Sequence, residues 1–361
     1  VCIIFVSKFQ IVYPHNLCIL PRICALDRCL MLEAGTTIRP PKGPHQEFVC
    51  FWELVSLNPQ CQRTNKGHAM SKETNFDPSL TGSHENGLFG IPTEESQALV
   101  QILPVPWEVT TSYGRGTAKG PEAILKASPQ IDLYDLDFGN AYEKGFFLHK
   151  ISNKWLKTNN KLKLQALKIR DQLESKGKLT TTLETQRREI NKTSKKLNAW
   201  VFEFAKAALA KGKVAAVLGG DHSSPEGLIL ASCEHFDEVG VLHIDAHADL
   251  RQAYQGFEHS HASIMYNVMH AKKAPSQLVQ VGIRDFCEEE YNLIQEHKNI
   301  HCHFDQELKA KLYSGESWKN LCEAIIAPLP KNVHVSFDID GLDPLLCPGT
   351  GTPVPGGLQF G

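Results

Sequence analysis

The sequence predicts an α/β fold in which a mostly parallel sheet is covered by helices on both faces, a three-layer α/β/α sandwich. Two observations carry this. Short apolar, β-branched runs recur from residue 98 onward, and stretches of helical length with charged faces separate them. Buried strands that alternate with helices form parallel sheets, because a crossover helix must return the chain to the starting edge and cover a face on the way.

In chain order the expected strands are ALVQILPVP at 98–106, VAAVLGG at 214–220, VGVLHID at 239–245, LVQVGIRD at 278–285 and NVHVSFDID at 332–340. Between the first two lies a long helical region, from about Lys161 to Lys211. It contains the charge-rich text LQALKIRDQLESKG and a second piece, NAWVFEFAKAALAKGK, which ends at Gly212 as a helix should. No internal repeat is visible.

Residues 1–69 read differently. They hold six of the eleven cysteines: Cys2, Cys18, Cys24, Cys29, Cys50 and Cys61. Lys8, Pro14, Pro21 and Arg22 interrupt every apolar run, and the order of features that makes a signal peptide is absent. Met70 opens polar text rich in Gly, Asn and Ser, as flexible starts often are. The expectation is therefore a non-homologous segment over 1–69, outside the core, and a folded domain over 70–361 that begins at a natural initiator, Met70.

Composition narrows the function. A net charge of -2 with 22% charged residues lacks the basic footprint of a nucleic-acid-binding protein, and no run of about 18 apolar residues exists to span a bilayer. Cys233, Cys287, Cys302, Cys322 and Cys347 show no CxxC pairing, which reads as reduced thiols and a cytoplasmic location.

Ligands of parallel sheets gather at the carboxyl ends of strands, and three such ends carry unusual text. VLGGDHSSPEG places His222 after a glycine pair; HIDAHADL places Asp245, His247 and Asp249 at alternating positions; HVSFDIDGLDP places Asp338 and Asp340 likewise. Side chains at i, i+2 and i+4 of an extended chain share one face. Carboxylates clustered where a core wants apolar groups repel each other unless a cation joins them. Two His and four Asp, with no thiolate, suit Mn2+ or a related divalent ion, and six donors exceed the need of one ion, so a binuclear centre is expected.

GGDHS, DAHAD and SFDIDGLDP, in that order, resemble the three signature blocks of the ureohydrolases, the arginase and agmatinase family. VTTSYGRGTAKGPEAIL at 109–125 and PGTGTPVPGGL at 348–358 resemble flanking segments of that family. The resemblance covers roughly residues 101–361. It implies an arginase/deacetylase-like sandwich and two Mn2+ per chain, with Ni2+ as the alternative. His222, Asp245, Asp249 and Asp338 would hold one ion; His247, Asp340 and the shared Asp245 and Asp338 would hold the other. It further implies hydrolysis of a guanidino C–N bond to urea and an amine, agmatine to putrescine foremost. Asp249 and His261 would be catalytic, His261 as a proton shuttle titrating near neutrality, with His259 as its competitor. Thr352 and Arg251 would lie on the substrate side, and an Arg251 at the pocket mouth would favour a carboxylate-bearing guanidino acid. Partners implied are a small cationic guanidino substrate and further copies of the chain, as a trimer or hexamer.

The resemblance also implies a further helix and strand beyond Gly361. Other readings are a guanidino-acid or guanidine ureohydrolase, a formimidoylglutamase, and a non-catalytic metal-binding fragment. A binuclear phosphoesterase would normally add a GNH-type block, which the sequence lacks.

Overall fold

The computed structural model describes residues 3–6, 76–80 and 82–359. Among these, eight strands form one sheet: β1 Ile3–Val6, β2 Val100–Val105, β3 Phe146–Leu148, β4 Val214–Gly219, β5 Gly240–Ile244, β6 Gln277–Ile283, β7 Ile300–Phe304 and β8 Val333–Phe337, in the order β3-β2-β4-β1-β8-β5-β6-β7. Every pairing among β2 to β8 is parallel. The described α-helices are α1 Gly120–Ala127, α2 Asn153–Lys176, α3 Thr181–Ala210, α4 Glu226–His235, α5 Ile264–Met269, α6 Glu288–Glu296, α7 Asp305–Tyr313 and α8 Trp318–Ile326.

Alternating strand residues feed two helix layers. Ala216 and Leu218 of β4 and Leu242 and Ile244 of β5 pack with Ile124 of α1, Leu308 of α7 and Leu321 and Ile325 of α8. The odd residues Ala215 and Val217 face the other way, onto Ile169 of α2 and Leu197, Val201 and Ala205 of α3. Val241, Leu278 and Ile283 continue that second face under Ile229 of α4 and Ile264, Met265 and Val268 of α5. Strands buried on both faces explain why their sequences read as continuous apolar runs. The expected three-layer sandwich is the observed one.

The long helical region resolves into two antiparallel helices. Ser152 caps α2 by accepting from the Trp155 backbone N–H, Thr180 caps α3 by accepting from that of Leu183, and Gly177, at φ 66°, ends α2 in the left-handed conformation that glycine tolerates. Besides β1, two strands escape sequence reading. β3 has three residues, and β7, at the sheet edge, is half-buried IHCHF text without a clean apolar run.

The expectation that residues 1–69 stand apart lies almost wholly outside the described residues. Ile3–Val6 are the part of that stretch that is described, as β1. This segment runs antiparallel between β4 and β8, with Ile3 opposite Gly219 and Phe5 opposite both Val217 and Ser336. The physical reason is backbone satisfaction: β4 and β8 each present a row of N–H and C=O groups at the sheet centre, and an IIFV segment of high β propensity can pair with both.

Candidate metal centre

Parallel strands deliver their carboxyl ends to one edge, so the loops after β4, β5 and β8 meet there. After β4 the chain turns through Gly220. Its need for glycine is a close approach, since a side chain there would strike the backbone of Val105 and Trp107. His222 follows, buried, with Nδ1 2.7 Å from Asp245 Oδ2, 3.1 Å from Asp249 Oδ2 and 3.4 Å from Asp338 Oδ2.

Asp245 is the first residue beyond β5. Its Oδ1 accepts the His247 backbone N–H at 2.7 Å. The strand stops at Ile244, so the three donors of HIDAHADL converge from a loop and not along an extended strand. Asp249 achieves this with φ 56°, a left-handed backbone rare for a side-chain-bearing residue, held by its carbonyl accepting from the Met265 and Tyr266 N–H groups. After β8, Asp338 caps a short turn over Ile339–Gly341, accepting the Asp340 N–H at 3.2 Å.

Two donor clusters result, each with its ligating atoms within 4.8 Å of one another: His222, His243, Asp245 and Asp249, and Asp245, His247 and Asp340. Asp245 belongs to both. Five of the six expected ligands fall in these groups, and Asp338 lies against His222 beside them. His243 was not foreseen; it sits inside β5, where an apolar neighbour pattern hides it.

Burial and mutual repulsion dominate the electrostatics. Burial raises Asp249 to about 7, with Asp245 adding to the rise. Burial, Asp340 and Asp245 push Asp338 well above the carboxylate range. Burial would also raise Asp245, but His243, His222 and His247 hold it well below that range. His247 is lowered by burial, then raised to about 12 by Asp245 and Asp340. Protons on imidazoles thus balance the carboxylates here, a role that divalent cations can take over. The donor chemistry fits them: hard oxygens and imidazoles, packed without thiolates.

A cleft opens over the clusters, lined among others by Thr111, Ser112, His261, Asp338, Asp340 and Thr352. Thr352 donates to Asp340 Oδ2 at 3.2 Å. His261 places Nε2 3.4 Å from Ser112 Oγ, packs edge-on to Tyr254, and has an enclosed Nδ1 without a hydrogen-bond partner. Burial and the charge on His247 lower it to about 3. His259 is turned away, with Nδ1 2.9 Å from Glu226 Oε1. Arg251 lies outside this lining; its Nε is 3.5 Å from Glu290 Oε2 and its guanidinium stacks on Tyr254. Asp285, unremarked in the sequence beyond ending LVQVGIRD, stands exposed 3.7 Å from His247 Nε2. A larger cavity of about 490 Å3 between α2 and α3 is lined by Trp155, Trp200 and several lysines. Its lining has no group of His and Asp, so the chemistry belongs to the smaller cleft.

Fold and site together define the class, an α/β/α hydrolase fold whose strand ends carry a buried His/Asp cluster able to hold divalent cations. The chain belongs to the arginase family, whose sequence model matches residues 98–361. It is 32% identical over 268 residues to an N(1)-aminopropylagmatine ureohydrolase of Thermus thermophilus, covering 74% of this chain and 76% of the relative. It is 29% identical over 271 residues to the Synechocystis protein of the same name, covering 74% and 75%. In fold it is similar to the agmatine ureohydrolase of Thermoplasma volcanium, with a TM-score of 0.53 and 21% identity over 78% of each chain. The chain is an enzyme of this class, a hydrolase of C–N bonds in linear amidines. Among the described residues no helix is long and apolar enough to cross a membrane.

Proposed function

We propose that this ureohydrolase takes a cationic alkylguanidine, agmatine or the same molecule extended by an aminopropyl arm, and releases urea and an amine. The observation that carries the reading is Asp245, a buried carboxylate shared by two donor clusters, beside a cleft lined by His222, Asp338 and Asp340. One carboxylate facing two ligand groups is the arrangement that keeps two ions close. The cofactor is proposed to be Mn2+, two per chain, with Ni2+ as the alternative. His222, Asp249 and Asp338 would hold the inner ion, His247 and Asp340 the outer, with Asp245 between. Cations bound there would supply a water nucleophile near neutral pH.

The chain's own residues do the rest. Asp338 and Asp340 line the cleft, and Thr352 fixes Asp340 by its hydrogen bond. His261, neutral at rest, accepts a proton at Nε2 or Nδ1 and returns it to the departing amine, which cannot leave as an anion. Substrate charge is read from the rim. Arg251 is occupied by Glu290 and Tyr254, while Asp285 offers an exposed carboxylate beside His247. A distal ammonium is favoured there over a carboxylate. The resemblance that named the family also supports a trimer or hexamer, and the scattered thiols of Cys233, Cys287 and Cys302 support a cytoplasmic location.

The test is urea release by the full chain after loading with Mn2+. Agmatine and N1-aminopropylagmatine are expected to be cleaved, 4-guanidinobutyrate and arginine at least ~10-fold less well, about 1.4 kcal/mol of discrimination. Preference for the guanidino acid would overturn the charge assignment. Stoichiometric metal without any urea would favour the non-catalytic reading.

A further inference from the structure

Three polar side chains stand in one row across the middle of the sheet, one step inside the ligand layer. Gln280 of β6 pairs in register with His243 of β5, and His243 with Ser336 of β8. None has exposed surface. Strands buried on both faces ordinarily carry Val, Ile or Leu there, and a polar group costs stability unless it is hydrogen-bonded.

The bonds fix the roles. Gln280 Nε2 donates to the Ala248 carbonyl at 2.7 Å, and a carbonyl only accepts, so the amide cannot be turned round. The same nitrogen lies 2.9 Å from His243 Nδ1. Its second hydrogen goes there, which makes Nδ1 the acceptor and leaves the imidazole proton on Nε2. That N–H points at Asp245 Oδ2, 2.8 Å away. On the other side of the row, Ser336 Oγ lies 2.8 Å from His222 Nε2, the ring nitrogen opposite the one that faces the carboxylates.

We infer that Gln280, His243 and Ser336 form a positioning row that holds Asp245 and His222 in ligating orientation, and that His243 is a donor to Asp245 and not itself a ligand. The inference rests on reading the cluster as a divalent-cation site. Hydrogen bonds behind ligands select tautomer and ring orientation, and their loss typically weakens metal affinity by about 10- to 100-fold.

The experiment titrates the chelator-treated full chain with Mn2+ by calorimetry. His243→Leu is expected to keep the parental number of ions while weakening the tighter site by ~10- to 100-fold. His243→Gln, which returns an amide N–H near the Nε2 position, is expected to recover most of the loss. Gln280→Leu should weaken the site less, and the double variant should equal His243→Leu, because Gln280 acts through His243. Loss of one ion in both His243 variants would make His243 a ligand and overturn the inference. Parental affinity in His243→Leu, or additive losses in the double variant, would overturn it too. Should circular dichroism show that His243→Leu does not fold, Ser336→Ala decides: ~10-fold weaker binding supports the row and parental affinity refutes it. A parent chain that takes up no Mn2+ would instead defeat the cation reading itself.

Discussion

The inner and outer halves of the donor cluster share Asp245 but are built differently. Inner residues His222 and Asp249 are enclosed, and a row of strand side chains stands behind His222 and the shared Asp245. Outer residue His247 keeps 22% of its side chain exposed and faces the exposed Asp285. The contrast shows how one fold divides a task. The enclosed half is backed by side chains of the sheet, and the other half opens toward solvent.

The largest expected effect comes from the residue that joins the halves. Asp245→Ala is expected to remove both ions, read by elemental analysis, because its two oxygens serve both clusters. Loss of only one ion would mean that the halves are independent. Next in size, Asp249→Ala and His247→Ala should each remove one ion, the first from the tighter class and the second from the weaker. Reversal of that order would overturn the inner-outer contrast.

A pH experiment sharpens it. Asp249 is raised to about 7 and His247 to about 12. A raised folded-state pKa adds stability below the unfolded value and loses it as pH climbs toward the folded one. Asp249 therefore makes the chelated protein less stable as pH rises from 3.8 to about 7, and His247 as pH rises above 6.5. Bound Mn2+ displaces these protons, so uptake should release protons and tighten with rising pH. Melting curves of chelated and loaded protein check this, and parallel pH trends would contradict it. The smallest effect is expected from Thr352→Val, which leaves Asp340 Oδ2 without one neutral donor, worth about 0.5–1.5 kcal/mol. Weaker-site affinity should fall by roughly 2- to 12-fold, with the tighter site unchanged.

Much of this was legible because the strands that deliver ligands are the most apolar text in the chain. β4, β5, β6 and β8 announce themselves, and His and Asp beyond their ends stand out against Val and Leu. Edge strands gave no such signal: β3 is too short, and β7 alternates histidine with apolar residues. His243, Gln280 and Ser336 were hidden for a related reason. Each is a polar residue within a mostly apolar strand, and only the register of three strands brings them together. The shapes of the ligand loops were also illegible, since the left-handed backbone at Asp249 depends on bonds to α5. β1 depends on contacts more than 200 residues away along the chain, which no local pattern records.

The most direct measurement counts and ranks the bound ions. The full chain is stripped with chelator, loaded with excess Mn2+ and dialysed stepwise, with metal per chain followed by elemental analysis. Two ions at saturation, one leaving well before the other and the slow one abolished by Asp249→Ala, is the expected result. At most one ion per chain, or two that leave together and depend equally on His247 and Asp249, would contradict a shared centre with a buttressed inner half and an open outer one.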